Sequence, residues 1–389
     1  MSINIKEIDE TFHYYKKLRR DLHANPELGL HETRTSLIIT HELEKLGYQV
    51  TSHIAGTGLV ATFKLGNGEK SIGLRADMDA LPIVEKSNLP HSSQNAGVMH
   101  ACGHDGHVAT LLCAANALVV RKRFNGTLHL IFQPAEENAG GANLMIKDGL
   151  FERFPCDFVF GMHNDPLLPL GKVSWRYGAI MAAVDSARIT LKGPGGHEGL
   201  PHLAADTIVA SASIIMALQT ILSRNIDPCN PAVLNVGSIH SGTTSGIIPD
   251  ETTMEIGLRS FDSLTRNLIE EKLNSIVSEH AKGFDVKSDV KVTRWYGPTI
   301  NDKEATNILL RSLNRAVDQS NLVELEKPFM FSEDFSFMLN KCPGSYFFVG
   351  GAKGHDDYSL HHPSYDFNDD VIKVGSTIWT TLVEDYLCA

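Results

Sequence analysis

The sequence of 389 residues lacks several features that mark membrane and secreted proteins. It has no run of about 18 apolar residues, so we expect no segment that spans a bilayer. The N-terminal residues lack the basic-then-apolar order of a secretory leader, which favours a cytoplasmic location. The six cysteines are scattered along the chain and do not resemble the dense framework of a disulfide-rich domain.

Positive charge is also scarce. The chain has 46 acidic residues against 35 Lys and Arg, which gives a formal net charge of -11. This balance argues against a general affinity for nucleic acid or for an anionic membrane. An anionic substrate would therefore need a local basic group or a metal ion.

The length predicts two domains, because a chain of 389 residues exceeds the usual size of one hydrophobic core. Helical patterns near 5–24 and 31–47 alternate with short apolar runs over the first 180 residues. This alternation is typical of an α/β domain with a mostly parallel sheet and helices on both faces. The stretch 107–120 is apolar almost all round, which predicts a helix packed deep against that sheet.

The pattern changes between residues 183 and 296. Strand, helix, two strands, helix and strand follow one another there, and this βαββαβ order is typical of a ferredoxin-like sandwich. We expect one domain formed by 1–182 and 297–389, and a second domain, 183–296, inserted into it. The inserted domain offers an edge strand or a helix to a second copy, but it can also act alone, so the sequence leaves the oligomeric state open.

Residues 100–107, HACGHDGH, gather three histidines, a cysteine and an aspartate. The two glycines give the backbone room to turn before the buried helix, so that Cys102 and His104 are able to point to one spot. Thiolate and imidazole together suit zinc and other borderline first-row ions better than calcium or magnesium. For His100 and His107, hydrogen bonds to the backbone are a better interpretation than metal binding.

Other metal-capable side chains follow apolar strands further along. Glu136 and Glu137 come directly after one strand, where open α/β sheets build their sites. One carboxylate of such a pair can bind metal while its neighbour serves as a general base; solvated loop acids are the alternative. His163 follows another apolar run, and His361 and His362 lie near the C-terminus. This recurrence at strand ends predicts a shared centre.

Two further motifs contain candidates for supporting roles. Asp77 and Asp79 in LRADMDALP are spaced to lie on one face of a strand, where they could orient a ligating imidazole or tune the base. Capping of the turn before Pro82 is the alternative. His197 lies in a glycine-rich loop of the inserted domain, and such a histidine suits donation to the oxyanion of a tetrahedral intermediate. An ordinary surface histidine is the alternative there.

Nine motifs occur in the order seen in the amidohydrolase branch of the aminoacylase and carboxypeptidase-G-like metallopeptidases. That branch includes hippurate hydrolases, auxin-conjugate hydrolases and N-acyl-amino-acid amidohydrolases. The motifs are HANPELGLHETRTS, LRADMDALP, HACGHDGHVA, FQPAEE, GMHNDP, GPGGHEGLPH, LQTILSRNIDP, SEDFS and HHPSYDFND. The chain resembles this branch over essentially its whole length.

The resemblance implies a metal-dependent hydrolase that cleaves the amide of N-acyl amino acids, with a catalytic domain and an inserted lid or dimerisation domain. It implies two divalent ions, with zinc, manganese, cobalt and nickel all open, Glu136 as the general base and His197 as a lid residue. The implied metal ligands are Cys102, His104, Glu137, His163 and His361. The implied supporting or substrate-binding residues are Asp77, Asp79, Asp105 and Arg224.

The chain departs from the family pattern at two places. The wider family has a histidine and an aspartate where this chain has Asp77 and Asp79, so direct metal binding by these two is not implied. Gly246 stands where relatives commonly carry an asparagine near the substrate. This loss bears on how the scissile group or its carboxylate is held.

Two alternative functions stay open. A dipeptidase or an N-acetyl-diaminopimelate deacetylase would use the same site, because substrate choice depends on lid and loop side chains. A catalytically inactive metal-binding protein belongs to a different class. The presence of Glu136 beside Glu137, together with every implied ligand, favours an enzyme.

Overall fold

The computed structural model describes residues 4–354 and 357–388. The helices are α1 (Lys6–Ala24), α2 (Thr33–Lys45), α3 (His104–Arg121), α4 (Gly141–Lys147), α5 (Leu150–Arg153), α6 (Thr207–Thr220), α7 (Ser263–Gly283), α8 (Lys303–Ala316), α9 (Ser336–Leu339) and α10 (Val371–Tyr386). The strands are β1 (Gln49–Ile54), β2 (Gly58–Leu65), β3 (Ser71–Asp77), β4 (Gly126–Gln133), β5 (Phe158–Pro169), β6 (Val173–Trp175), β7 (Gly178–Met181), β8 (Ala183–Lys192), β9 (Gly196–His197), β10 (Val233–Ser241), β11 (Ile247–Ile248), β12 (Glu251–Ser260), β13 (Lys287–Tyr296), β14 (Thr299–Asn301), β15 (Leu322–Glu324) and β16 (Gly344–Ala352).

The described residues divide into two compact units. The first unit contains the residues up to Ile180, the segment Ile300–Pro328 and the residues from Asp334 onward. The second unit contains Met181–Thr299 and Phe329–Glu333. The predicted domains change at 182/183 and 296/297, within three residues of where the units change. They also differ from the units at the short segment Phe329–Glu333, which groups with the second.

The first unit is built on an eight-stranded sheet of order β1-β2-β4-β3-β5-β16-β6-β15. The four strands at its centre, β4, β3, β5 and β16, run parallel to one another. Antiparallel pairing is found between β1 and β2, between β2 and β4, and between β16 and β6. The prediction of a mostly parallel α/β sheet is confirmed.

Helices cover both faces of this sheet. On one face, side chains of β3, β4, β5 and β16 share a buried core with α1, α2, α3, α8 and α10. On the other face, the rings of His129 and Phe154 lie 5.7 Å apart, and those of Phe335 and Tyr346 lie 5.3 Å apart. Phe154 ends α5 and Phe335 precedes α9, so short helices and loops pack on this side.

Parallel strand ends place the candidate site at one edge of the sheet. Asp77, the last residue of β3, is in register with Gln133, the last residue of β4. Because parallel strands present their carboxyl ends at the same edge, the loops that follow β3 and β4 meet there. His163 differs from the prediction, since it lies within β5 and pairs with Phe348 of β16 instead of following the strand.

The second unit contains a four-stranded antiparallel sheet of order β10-β12-β8-β13. In this order the first and third strands of the βαββαβ series are central, as in a ferredoxin-like sandwich. Helices α6 and α7 share one buried core with the sheet. Each helix begins at an aspartate, Asp206 or Asp262, whose side chain accepts hydrogen bonds from backbone N–H groups of the first turn.

Helix α6 has an apolar outer face that the sequence pattern did not indicate. Together with the π-helical turn Ile221–Asn225, it forms a continuous helix, Thr207–Asn225, that is long and apolar enough to cross a membrane by length and composition. Only 33% of that stretch is buried. The apolar residues Val209 and Met216 are exposed, at 51% and 72%. Core packing accounts for Ile214 and Leu218 but not for this outer apolar face.

Candidate active site

A tight turn before α3 brings Cys102 to His163. Gly103 has φ +93°, and a Cβ built there would lie 2.4 Å from Oδ1 of Asn164, so both the conformation and the space require glycine. The turn leaves Cys102 Sγ 3.3 Å from Nε2 of His163, and both side chains are buried. The prediction that Cys102 points into a shared site therefore has a geometric basis.

His104, the first residue of α3, is oriented by the loop that follows β3. Its Nδ1 donates to the backbone carbonyl of Asp79 at 2.9 Å. The other ring nitrogen, Nε2, lies 4.0 Å from Oε1 of Glu137. This Nε2 is buried and has no hydrogen-bond partner among the described residues. Donation from Nδ1 keeps the proton of the neutral ring on that nitrogen, so Nε2 is the atom that would bind a metal ion.

Glu137 and His361 meet although they lie on separate loops. Nε2 of His361 is 3.2 Å from Oε1 of Glu137. The backbone N–H of Glu137 donates to Oδ2 of Asp79 at 3.0 Å, so one aspartate orients both Glu137 and His104. His362 does not join them, because its ring stacks on that of Tyr358 with centroids 4.3 Å apart.

The ligand atoms form two overlapping groups that share Cys102. The first group contains Cys102, His104 and His163, and the second contains Cys102, Glu137 and His361. Within each group all ligand atoms lie within 4.8 Å of one another. The five implied ligands are thus brought together by the first unit, and the two groups have Cys102 in common.

Glu136 lies beside this cluster and is buried. It forms a close group with His104 and Glu137. One carboxylate oxygen of Glu136 accepts a hydrogen bond from the backbone N–H of Asp334 at 3.4 Å. The adjacent glutamates therefore occupy different positions beside the cluster.

Asp77 is connected to the cluster through a network of buried hydrogen bonds. Its Oδ1 lies 2.6 Å from Nδ1 of His107, and its Oδ2 accepts from Nη1 of Arg75 at 2.6 Å. His107 Nε2 is in turn 2.8 Å from Oδ1 of Asn164, next to His163. His107 is thus hydrogen-bonded on both ring nitrogens, and it also forms a metal-capable group with Asp77 and His104. His100 is buried, and neither of its ring nitrogens has a hydrogen-bond partner in the described part of the chain, so the prediction of hydrogen bonds to the backbone is wrong for His100.

Sequence reasoning missed Arg75 and Asp334. Arg75 is fully buried, and its other nitrogens bind Gln133 and Asp334 at 2.8 and 3.2 Å. The available signal was a charged residue inside the apolar strand β3. Asp77 and Asp79 were predicted to orient ligands or tune the base. The sequence alone does not show the hydrogen-bonded network on which this role depends.

Burial and the neighbouring charges move the pKa values of the cluster away from their usual ranges. Burial raises the pKa of the Cys102 thiol well above its usual range, and the neighbouring carboxylate of Glu137 raises it further. Burial alone would lower the pKa of His104, but Asp77 and Asp79 raise it to about 10. Burial keeps the pKa of His163 well below its usual value. Without metal, Cys102 and His104 therefore hold protons at neutral pH, whereas His163 is neutral.

The comparisons with known proteins agree with this arrangement. The sequence pattern of Peptidase family M20/M25/M40 matches residues 73–385. The chain is 41% identical to a hippurate hydrolase of Campylobacter jejuni over 383 residues, which are 98% of this chain and 99% of that protein. It is 38% identical to an N-acetyl-L-cysteine deacetylase of Bacillus subtilis, covering 91% of this chain and 84% of the relative.

The chain belongs to the peptidase family M20/M25/M40. The resemblance inferred from the nine motifs is confirmed. Among solved structures, the fold is similar to the YXEP protein of Bacillus subtilis, a dinuclear metal-binding peptidase of the M20 family, with TM-score 0.84 and 30% identity. That match covers 97% of this chain and 99% of the other. The enzyme class inferred from the sequence, a hydrolase of amide bonds, is confirmed with the family.

The side chains of this M20 member fit a centre of two divalent ions. Each of the two groups around Cys102 supplies sulfur together with nitrogen or carboxylate oxygen, and such mixed ligands suit first-row divalent ions. The buried Nε2 of His104, which lacks a hydrogen-bond partner within residues 4–354 and 357–388, is explained when it binds an ion. The oriented second nitrogen of that ring is typical of metal-binding histidines.

The other predicted site residues lie elsewhere. Asp105 is turned towards Arg19 and His23 and belongs to none of the metal-capable groups in the described chain. His197 and Arg224 belong to the second unit, where both are exposed. His197 Nδ1 accepts from the backbone N–H of Gly199, so the proton of the neutral ring is on Nε2, which remains available to donate.

Gly246 lies close to His197 within the second unit. Its carbonyl accepts from the backbone N–H of Glu198 at 3.3 Å, and Ile247 pairs with His197. A Cβ built on Gly246 would meet no atom within 4 Å. A side chain such as asparagine would therefore fit at this position without displacing its neighbours.

Proposed function

We propose that this protein is a metal-dependent amidohydrolase that cleaves N-acyl amino acids or closely related conjugates into a carboxylic acid and an amine. The observation that supports this proposal most strongly is the placement of Glu136. This buried carboxylate lies beside His104 and Glu137, next to two ligand groups that share Cys102. The hippurate hydrolase and the N-acetyl-L-cysteine deacetylase named above favour an acyl-amino-acid substrate.

The proposed mechanism assigns proton transfer to Glu136. Divalent ions held by Cys102, His104, Glu137, His163 and His361 would supply Lewis acidity and lower the pKa of water. Glu136 accepts the proton of the attacking water and then passes it to the nitrogen of the departing amine. Its buried position keeps this proton from bulk solvent during the reaction.

Two residues of the second unit complete the proposal. His197, whose Nε2–H remains free to donate, stabilises the oxyanion of the tetrahedral intermediate. Arg224 binds the carboxylate of the amino-acid part, since a guanidinium matches a carboxylate with two parallel hydrogen bonds. Arg224 is exposed in the π-helical turn after α6. Gly246, beside His197, leaves space for an acyl or amino-acid group.

We propose zinc as the resident metal, because thiolate and imidazole favour it by their softness, while manganese, cobalt or nickel are the competitors. We propose a cytoplasmic location, since all six cysteines are free and reduced thiols persist in that compartment.

We also propose that the exposed apolar face of α6, with Val209 and Met216, pairs with a second copy of the chain. Light scattering of the Met216→Glu variant would test this pairing.

The deciding experiment measures metal content and amide hydrolysis on the same purified sample. We expect two equivalents of divalent metal and release of amine from benzoyl-, acetyl- and indoleacetyl-amino acids, with loss of activity in EDTA and recovery on addition of Zn²⁺ or Mn²⁺. Faster cleavage of dipeptides or of N-acetyl-diaminopimelate would redirect the substrate assignment. A metal-loaded protein that cleaves no amide in the panel would contradict the proposal and identify a metal-binding protein without catalysis.

A further inference from the structure

Arg19 of α1 is a fully buried cation with carboxylates on three sides. Its Nε lies 2.8 Å from Oδ2 of Asp105, its Nη2 lies 2.6 Å from Oδ1 of Asp366, and its Nη1 lies 3.3 Å from Oδ1 of Asp369. The Arg19 side chain has 0% exposure. Nη1 and Nη2 donate hydrogen bonds to Asp369 and Asp366, whereas Nε faces Asp105 at ion-pair distance without a hydrogen bond among the described residues. The three carboxylates together limit where the planar guanidinium can lie.

These partners belong to the two segments that carry metal ligands. Asp105 follows His104 directly in the first turn of α3. Asp366 and Asp369 lie between His361 and the start of α10 at Val371. Arg19 therefore joins a ligand-bearing segment from the middle of the chain to one from its C-terminal part.

Neighbouring groups complete the network around Arg19. His23, one turn later on α1, lies with Nδ1 2.9 Å from Asp105 and Nε2 3.2 Å from Glu85. Glu85 is in the loop after β3, and the backbone N–H of Lys86 in that loop donates to the carbonyl of Pro363, close to His361. The loop is thus fastened both to α1 and to the segment that carries His361.

Stability alone does not explain this arrangement. Burying an ion pair costs about as much desolvation energy as the attraction returns, and a well-packed apolar side chain of similar volume is often as stabilising. The stripe Phe12, Tyr15 and Leu22 shows that the same face of α1 otherwise packs with apolar residues. A buried charge on this stripe is better explained by the geometry that it imposes on its partners.

We propose that Arg19 is a positioning residue for the metal centre: through Asp105 and Asp366 it fixes the distance between the segments that carry His104 and His361. The proposal rests on the proposed metal-dependent function. It assigns no contact between Arg19 and substrate or metal. If the proposal holds, loss of the guanidinium lowers the free energy of metal binding by more than it lowers the free energy of unfolding.

The test uses Co²⁺ as the probe, titrated into the full-length, metal-stripped protein and followed by absorption. Arg19→Lys keeps the charge but offers no planar fork, so we expect Co²⁺ affinity to fall by about 10–100-fold, as is typical when a residue that orients a ligand is lost. Asp366→Asn removes the charge of one of the two carboxylates that join Arg19 to the His361 segment, and Asp369 stays as the other. For this variant we expect the affinity of one Co²⁺ to fall and that of the other to stay near wild type.

Arg121→Lys is the matched control. Arg121 is also a largely buried arginine paired with carboxylates, those of Glu384 and Glu7, but it lies at the far end of α3, about 25 Å from His104 by the rise of an α-helix. We expect this variant to bind Co²⁺ like wild type even when its melting temperature falls. Equal losses of affinity in the Arg19 and Arg121 variants would overturn the positioning role.

Two outcomes separate this inference from the proposed function. If wild type binds two Co²⁺ and cleaves acyl amino acids while Arg19→Lys and Asp366→Asn bind Co²⁺ equally well, only the positioning role is wrong. If wild type binds no Co²⁺, both proposals fail. Should Arg19→Lys not fold, Asp366→Asn still decides, because the Asp366 side chain is 16% exposed and keeps His91 and Lys353 as neighbours.

Discussion

Nε2 of His361 lies 3.2 Å from Oε1 of Glu137. This contact shows that His361, and not the adjacent His362, faces the candidate metal centre. His361 has φ +64°, a left-handed conformation that is uncommon outside glycine. The next residue, His362, points elsewhere and accepts a hydrogen bond on Nδ1 from the backbone N–H of Ser364. The chain thus adopts a strained backbone at the residue whose side chain meets Glu137.

Replacing the two histidines separately tests this assignment. We expect His361→Ala to weaken binding of one divalent ion by more than the roughly 10–100-fold that loss of a residue supporting a ligand costs. His362→Ala should keep both ions, because its ring stacks on Tyr358. Elemental analysis after dialysis against a chelator measures the difference. Equal metal loss in the two variants would show that the choice of His361 is wrong.

Cys102→Ala should affect both ions, because Cys102 belongs to both ligand groups. We expect its metal content to fall below one equivalent under conditions in which wild type retains two. Cys113→Ala is the matched control, since Cys113 is a buried free cysteine of α3 outside every metal-capable group of the described residues. Wild-type stoichiometry in Cys102→Ala, measured by elemental analysis, would count against a bridging thiolate.

The sequence predicted those parts of the structure that depend on local periodicity. Patterns near 5–24 and 31–47 correspond to α1 at Lys6–Ala24 and α2 at Thr33–Lys45. The apolar stretch 107–120 lies within α3, which is buried along most of its length. Such elements follow from short-range spacing of apolar side chains, which a single sequence contains.

The sequence could not predict contacts between distant segments. Arg19 looks like one charge among many in an amphipathic helix, yet it is buried among Asp105, Asp366 and Asp369. The signal was its place on the apolar stripe between Tyr15 and Leu22, but its partners lie in remote parts of the chain. Recognition of the family motifs supplied the metal ligands; it did not supply the residues that orient them.

Metal binding should release protons from Cys102 and His104. In the metal-free protein the pKa of Cys102 is raised and that of His104 is about 10, so both are protonated at pH 7.5. A metal ion binds thiolate and neutral imidazole, so both protons leave and affinity rises as the pH increases from 7.5 towards the pKa of His104. Calorimetry in buffers of different ionisation enthalpy counts these protons. Cys102→Ala should release about one proton fewer than wild type, and an unchanged count would contradict a protonated thiol.

The oxyanion role of His197 predicts a loss of turnover without a loss of metal. Removing an oxyanion donor typically costs on the order of 10²–10³-fold, so His197→Ala should lower kcat by that factor. His202→Ala is the matched control, because His202 is an exposed histidine in the 3-10 turn Pro201–Leu203 of the same loop. Steady-state kinetics with an acyl amino acid decides. A kcat reduced less than about threefold would remove His197 from the mechanism.

The assignment of Glu136 as general base predicts a large loss of turnover when its carboxylate is replaced. General-base catalysis typically contributes about 10²–10⁴-fold, so Glu136→Gln should lower kcat by that order while keeping both metal ions. Glutamine preserves the size of the side chain, and it can still accept from the backbone N–H of Asp334. Glu42→Gln, which changes a buried glutamate of α2 that accepts from Tyr14, should keep wild-type turnover. If Glu136→Gln binds two ions and turns over at the wild-type rate, another group takes the proton from water.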